Sequence, residues 1–418
     1  MSLHGTAVST AGAERLKAAH PQLPIADLAG AAPTAVEPGR PLRLLGPRGE
    51  TLGVGVADPE NEVVRVWRAG EAAVEGVRAL DAGFFRGEVR RALALRRTLG
   101  LVDGVSAYRL LNGEGDGLSG LAVDVYGPYA VVTALGRGLL GHARVLAEAA
   151  MALSAEAGLT LRGAVLKVRL KTAGSAGTAA ESRAGAEKSK DQVVGEEPPA
   201  KLITQEMGVP YEVHLRGAIN VGLFSDMREH RAGLARFVRE RRVLNTFAYT
   251  GALSVAAARA GAASVTSVDL AAGPLAWARE NFRLSGLDPA ASRFRWETSD
   301  VFRFLEEERA RGIRHDVIIL DPPTVSGARA TSWAQKRDYP DLIAAACALL
   351  PDEGGHLWIS SNTHRGPGLM KHVTAGLEAA HRTGAVLELG GLPPDFPTPA
   401  HWPAARYLEV CQLRVGSR

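Results

Sequence analysis

From about residue 243 onward, short apolar runs alternate with amphipathic stretches in a steady rhythm. Strands are expected at VLNTFAY (243–249), SVTSVDL (264–270), RFRWET (293–298), DVIILD (316–321) and HLWISS (356–361). Between them LSVAAARAG, PLAWARENFRLSG, VFRFLEEERARG and DLIAAACALL read as helices. Strands alternating with helices imply an α/β fold with a parallel, doubly wound sheet, which binds its ligands at the carboxyl ends of the strands.

The first half has a different texture. Residues 1–36, rich in Ala, Pro and small polar side chains, are expected to be a flexible N-terminus. PLRLLGPRGETLGVGVADPENEVVRVWR alternates like β-strands, with turn signals at Gly46-Pro47, Gly49 and Asp58-Pro59, and marks a small β module over 37–80. FFRGEVRRALALRRTLG predicts a helix with Phe85, Val89, Leu93 and Leu95 on one side. Residues 84–97 carry five arginines against one glutamate, so its other side is either an RNA-facing or a merely solvated face. Strands resume in AYRLLNGEGDGLSGLAVDVYGPYAVVTAL, where GEGDGLSG is a tight connection, and a helix and a strand (AVLKVRL) follow. These define a central α+β domain over 81–215, interrupted by a nearly non-apolar, flexible insertion at 171–195. A catalytic domain is expected over 216–418.

Composition narrows the class. Apolar residues make up 46% and charged residues 22% of 418, a globular profile, and no run is long and apolar enough to span a membrane. The start of the chain lacks a signal-peptide core, so a cytoplasmic location is expected. The two cysteines, Cys347 and Cys411, lie inside apolar runs, which excludes a disulfide framework or a cysteine-built zinc site; no metal is expected. A net charge of +4, carried mainly by arginine, suits phosphate contacts, although a GC-rich genome also enriches arginine. The second basic stretch, 228–242, holds six arginines and two glutamates and is read as an RNA-facing helix, with a solvated one as the alternative.

The candidate chemistry falls at strand ends. Asn245 through Gly251 close the first strand, and Gly251 allows close backbone approach to a ligand and to the sheet. Asp269 closes the second strand about twenty residues later, where an acid meets a ribose diol. Ser299-Asp300 close the third and suit an adenine amine. In register, these favour an adenosine cofactor; a dinucleotide is disfavoured because no G-x-G-x-x-G is present. Asp321-Pro322-Pro323-Thr324 close the fourth strand as a rigid, extended turn that could grip a planar base.

At this point the sequence resembles the bacterial 23S ribosomal RNA large-subunit methyltransferases, which join a PUA domain, a central β-rich domain and a Rossmann-like catalytic domain. The resemblance runs from about residue 38 through LNGEGDGLSGLAVDVYG, GLFSDMREHR, VLNTFAYTGALSVAAA, HDVIILDPPTVS and LPPDFPTPAHWPAARYLEV. It implies S-adenosylmethionine as cofactor, ribosomal RNA (naked or pre-ribosomal) as partner, and a possible homodimer. Phe224, Asp226 and Arg228 would enclose the cofactor, with Phe247, Tyr249 and Gly251 on its methionine side. Asn245 and Ser299 belong to the same cofactor set, Asp269 would hold the ribose and Asp300 the adenine. Asp321 with Pro322 and Pro323 would stand between cofactor and target base, and the N-terminal β module would be the PUA-like RNA binder.

One departure bears on the reaction. Family members that form 5-methylcytosine carry a cysteine after the fifth strand; this chain has Ser360-Ser361-Asn362-Thr363-His364-Arg365. Cytosine C5 attacks a sulfonium only after a thiolate adds at C6, whereas a base nitrogen with an exposed lone pair needs positioning alone. DPPTVS, SSNTHRG and the pair Arg337-Asp338 also resemble relatives that methylate guanine N7. The expected function is therefore a methyltransferase acting on guanine N7, with Thr324, Arg337, Asn362 and Arg365 at the substrate. The alternatives are 5-methylcytosine formation and a non-catalytic RNA-binding assembly factor. His230, His364 and His401 are read as polar pocket or surface residues, since N7 has no proton to lose.

Overall fold

The computed structural model describes residues 2–29, 36–102, 107–156, 159–170, 191–328, 331–363 and 367–416. Three large β-sheets succeed one another along the chain, and apolar clusters both fill them and join the first to the second and the second to the third.

The first sheet contains β1 (His4–Ala7), β2 (Gln22–Pro24), β3 (Pro41–Leu45), β4 (Thr51–Asp58) and β5 (Val63–Ala69), in the order β1-β3-β4-β5-β2. The residues before 37 were expected to be loose, yet they supply both edges of this sheet and helix α1 (Thr10–Lys17). Strand β1 pairs in parallel with β3 through its backbone, and Ala13, Leu16, Leu23 and Ile25 fill the core beneath. Backbone pairing is blind to side-chain polarity, which is why small polar residues concealed it.

Two helices, α2 (Glu71–Val74) and α3 (Ala82–Thr98), lead to the second sheet. Asp81 caps α3 by accepting the Phe84 N–H at 3.0 Å. Phe85, Val89 and Leu93 are buried as the periodicity predicts; Arg96, assigned to a basic outer face, is instead fully buried. The sheet contains β6 (Ala107–Asn112), β7 (Leu121–Tyr126), β8 (Tyr129–Ala134), β9 (Gly163–Val168) and β10 (Gln192–Gly195), with α4 (Leu140–Glu156) between β8 and β9. The expected flexible insertion overruns here, because Gln192–Gly195 pairs antiparallel with β9; residues 171–190 lie outside the described residues.

A hairpin, β11 (Leu202–Glu206) and β12 (Val209–Val213), shares one core with the catalytic half and with Tyr126, Tyr129, Val131 and Val165 of the second sheet. The third sheet runs β15 (Phe294–Thr298), β14 (Ser264–Asp269), β13 (Arg242–Thr246), β16 (Val317–Leu320), β19 (Gly355–Asn362), β21 (Leu408–Val415), β20 (Gly384–Gly390), and β17 (Val325–Ala328) with β18 (Thr331–Ala334) forms a separate hairpin after β16. The first five of these are parallel, and β21 is antiparallel to both neighbours. Helices α5 (Arg228–Val238), α6 (Ala252–Arg259), α7 (Ala272–Leu284), α8 (Val301–Ala310), α9 (Gln335–Cys347) and α10 (Leu369–Ala379) connect them. Ile318, Ile319 and Leu320 have no exposed surface, each contributing about 1.5–3 kcal/mol of hydrophobic burial. The order of strand addition switches between the parallel neighbours β13 and β16, and the crevice at that switch point is where such a sheet receives a ligand. Among the described residues no helix is long and apolar enough to cross a membrane.

Candidate active site

The loop after β13 is built for close approach. Phe247, Tyr249 and Gly251 all adopt positive φ (55°, 48° and 74°), a conformation that non-glycine side chains rarely take and that clusters at functional sites. A Cβ on Gly251 would stand 2.6 Å from the Ala278 Cβ, so only glycine lets α6 seat against α7. The loop is held by Asp269 at the end of β14, whose carboxylate accepts the Tyr249 N–H at 2.9 Å and the Ala271 N–H at 3.0 Å. Below it the Thr250 hydroxyl donates to the Gly222 carbonyl, and Asn281 donates to the Thr250 carbonyl at 2.8 Å.

Around this loop stand the groups an adenosine-type ligand needs. Asp269 is oriented by two N–H donors, and a carboxylate is the group that accepts from a ribose diol. Leu270, directly after it, is half exposed, as is Phe224, whose ring lies 5.6 Å from that of Tyr249. Asp300 caps α8 by accepting the Arg303 N–H at 3.2 Å, and Ser299 donates to the Asp300 carbonyl. Ordered carboxylates at two successive strand ends, flanked by exposed apolar side chains, fit a nucleoside with a charged tail. Burial and the nearby Asp269 carboxylate push the Tyr249 phenol up to about 12, so it stays a neutral donor.

Two residues expected at the cofactor are elsewhere. The Asn245 side chain is buried and donates to Ser254 at 2.8 Å beneath α6, because its position on β13 faces that helix. Arg228 is buried in a two-pronged ion pair with Asp395, at 2.7 and 3.1 Å, and so braces the fold. Arg231 is likewise paired with Glu206 and donates to the Phe224 carbonyl, so the basic stretch at 228–242 turns its first arginines inward. Phe247 packs beside Trp333, ring centroids 5.8 Å apart.

Asp321 follows β16 at the crevice. The register Leu320↔Ile359 sets it opposite Ser360, whose hydroxyl donates a short hydrogen bond to Asp321 Oδ1. Burial raises the Asp321 carboxyl to about 6; the Ser360 bond opposes the rise and the Asp226 charge adds to it. Pro322 and Pro323 follow, and the Pro323 carbonyl accepts the Trp333 indole N–H at 2.7 Å. Thr324 donates to Asn362 Oδ1 at 2.8 Å, which joins the two strand ends expected at the substrate. Arg337 forms an exposed pair with its neighbour Asp338. Arg365 and His364 lie outside the described residues. His230 binds the Gly391 carbonyl and His401 the Ala19 carbonyl.

The sequence analysis named Asp226 but missed the wall of residues that holds it near Asp321. Asp226 accepts the Tyr407 hydroxyl at 2.7 Å, and the second sheet contributes Arg109, paired with Asp124 at 2.6 Å. Burial and the Asp226 carboxylate raise the Tyr407 phenol well above its usual value. Asp395 ties the wall together: it accepts the Arg109 N–H, holds Arg228, and gives its carbonyl to Arg96, itself paired with Asp116. The only available signals were DFPTP and RYLEV within the motif string, and neither reveals a partner hundreds of residues away.

A 3-2-1-4-5-7-6 sheet with acids closing the ligand edge of its second, third and fourth strands is the Rossmann-like architecture of class I methyltransferases. The chain belongs to the S-adenosylmethionine-dependent methyltransferase family, whose model it matches over residues 181–408. It is 30% identical over 379 residues to ribosomal RNA large subunit methyltransferase I of Klebsiella pneumoniae, covering 90% of each chain. It is 31% identical over 339 residues to the putative ribosomal RNA large subunit methyltransferase YwbD of Bacillus subtilis, covering 80% of this chain and 81% of that one. A putative methyltransferase solved with SAH superimposes with a TM-score of 0.83 at 24% identity, over 99% of this chain and all of that one. That likeness extends the fold match through the first two sheets. S-adenosylmethionine is thus the cofactor.

Proposed function

We propose that the protein methylates N7 of a guanine in 23S ribosomal RNA. The observation that carries the choice of atom is the state of the thiols. Cys347 and Cys411 are both buried in the apolar core, and burial pushes each up to about 11. A thiol so placed is neither ionised nor able to reach a base, so the addition step that activates cytosine C5 has no nucleophile. At the strand end where a thiol would serve stands Ser360, whose proton is committed to Asp321.

Bound S-adenosylmethionine supplies an electrophilic methyl group on a sulfonium. The N7 lone pair forms the new N–C bond as the S–C bond breaks, and the positive charge passes to the guanine ring. Asp321, ionised above about pH 6, stabilises that charge at the moment it arrives. The Pro322-Pro323 turn fixes the base plane without contributing a proton acceptor, and none is required. The ribosomal substrate is supported by the names of the relatives, and the first sheet, as a PUA-like module, would hold flanking RNA. The exposed apolar edge strand β20, with Val386, Leu387 and Leu389 outward, is the surface on which a second copy would pair.

The test is to incubate the protein with S-adenosylmethionine and ribosomal RNA from a strain lacking its gene, digest to nucleosides and weigh the products. 7-Methylguanosine is expected. 5-Methylcytidine, or no new methylated nucleoside, overturns the reading.

A further inference from the structure

Helix α9 begins with a residue to which methyl transfer as described gives no task. Gln335 is 2% exposed, and neither its Oε1 nor its Nε2 has a hydrogen-bond partner among the described residues. No other buried side-chain amide among them is orphaned at both ends. An enclosed amide that satisfies neither its acceptor nor its donors is a cost to folding, and a packing role would be filled better by an apolar side chain.

Its location is the second observation. The Gln335 backbone N–H donates to the Thr324 carbonyl at 3.1 Å, so its Cα is held against the Asp-Pro-Pro-Thr turn. Two residues earlier, Trp333 donates to the Pro323 carbonyl. One turn later, the buried Tyr339 hydroxyl reaches the Leu320 and Ser360 carbonyls. The first turn of α9 therefore grips the ends of both strands that bear Asp321 and Ser360, and the orphan amide sits within that grip.

We propose that Gln335 is a specificity-determining residue that reads the target base. Its three rotatable side-chain bonds let the carboxamide turn to the base when RNA fills the crevice. Nε2 then donates to a ring carbonyl oxygen and Oε1 accepts from the adjacent ring N–H. That donor–acceptor pair matches the O6 and N1–H edge of guanine and leaves N7 free for the methyl group. The assignment of guanine rests on the function proposed above; the contact between Gln335 and the base is tested separately.

The experiment compares Gln335→Met, which keeps the length and removes both polar ends, with the full-length wild type on ribosomal RNA. Melting temperature is expected to hold or rise, and the Kd for S-adenosylmethionine, read by calorimetry, to stay unchanged. The kcat/KM for RNA should fall about tenfold or more, the usual effect of losing a two-point base contact. Gln335→Glu, which has the same size but loses the donor, should fall likewise and serves if the methionine variant does not fold. An unchanged kcat/KM overturns the proposal, as does a weakening of cofactor binding that accounts for the loss. The nucleoside formed by the wild type in the same assay reports on the guanine assignment, so the two readings can fail independently.

Discussion

Two aspartates flank strand β16, five residues apart, and their environments push them in opposite directions. Burial raises the pKa of both. At Asp316, before the strand, Arg242 overcomes it: the guanidinium donates at 2.7 and 3.1 Å, the backbone N–H at 2.8 Å, and the carboxyl is held below its ordinary value. At Asp321, after the strand, a single hydroxyl faces the carboxylate, Asp226 lies nearby, and the pKa climbs to about 6. The same contrast marks the two edges of the whole sheet. At the amino edge Arg295, Glu308 and His315 close on one another, while at the carboxyl edge the Asp269 carboxylate accepts two backbone N–H groups and that of Asp300 accepts one. The amino edge is neutralised by ion pairs, and the carboxyl edge is the one at which this architecture receives a ligand.

The largest expected effect comes from Asp321→Asn. Methyl transfer should fall a hundredfold or more, the usual scale for removing a group aimed at developing charge. Stability should move the other way. Because the folded pKa is raised, the cost of ionising Asp321 appears as pH climbs from about 4 to about 6 and is complete at pH 7. Denaturation of the asparagine variant should therefore show a gain of about 1–2 kcal/mol at pH 7 that vanishes near pH 4. A variant less stable than wild type at pH 7 would contradict this contrast.

Asp269→Ala should weaken S-adenosylmethionine about ten- to a hundredfold by calorimetry, as expected for losing hydrogen bonds to a charged acceptor. An unchanged Kd would remove Asp269 from the cofactor. Asp316→Asn should leave kcat unaltered and cost about 1 kcal/mol at neutral pH, since Arg242 is half exposed. Its sign is the reverse of Asp321: the contribution is present above the ordinary carboxylate pKa and is lost as pH drops through the lowered folded value. The smallest change is Ser360→Ala. Without its donor Asp321 should titrate above 6, and the acid limb of the pH–rate profile should move up by as much as about one unit. A limb that stays in place would mean that another group titrates there.

How legible all this was follows from what each residue touches. Asp269, Asp300 and Asp321 could be placed because strand–helix alternation locates strand ends, and strand ends are where this architecture puts its ligands. Asn245 and Arg228 were misassigned for the converse reason. Periodicity tells neither which side of a fully buried strand a side chain takes, nor that a partner awaits 167 residues downstream. Ser360 stood in plain view as the missing cysteine's neighbour, yet its bond to Asp321 depends on β16 and β19 lying side by side in register. Arg96 looked like one more surface arginine on a basic face; its burial is dictated by Asp116 and the Asp395 carbonyl.

Asp395 has a consequence in time as well as in space. It is separated by 299 residues from Arg96 and by 286 from Arg109, the groups it joins across the two sheets. During synthesis the second sheet can form well before residue 395 exists, whereas the third cannot be completed until β21, which lies beyond that residue, has been made. Asp395, Tyr407 and β21 arrive together at the end, so a nascent chain passes through a stage in which the strands that bear Asp269, Asp300 and Asp321 exist without the wall that faces them.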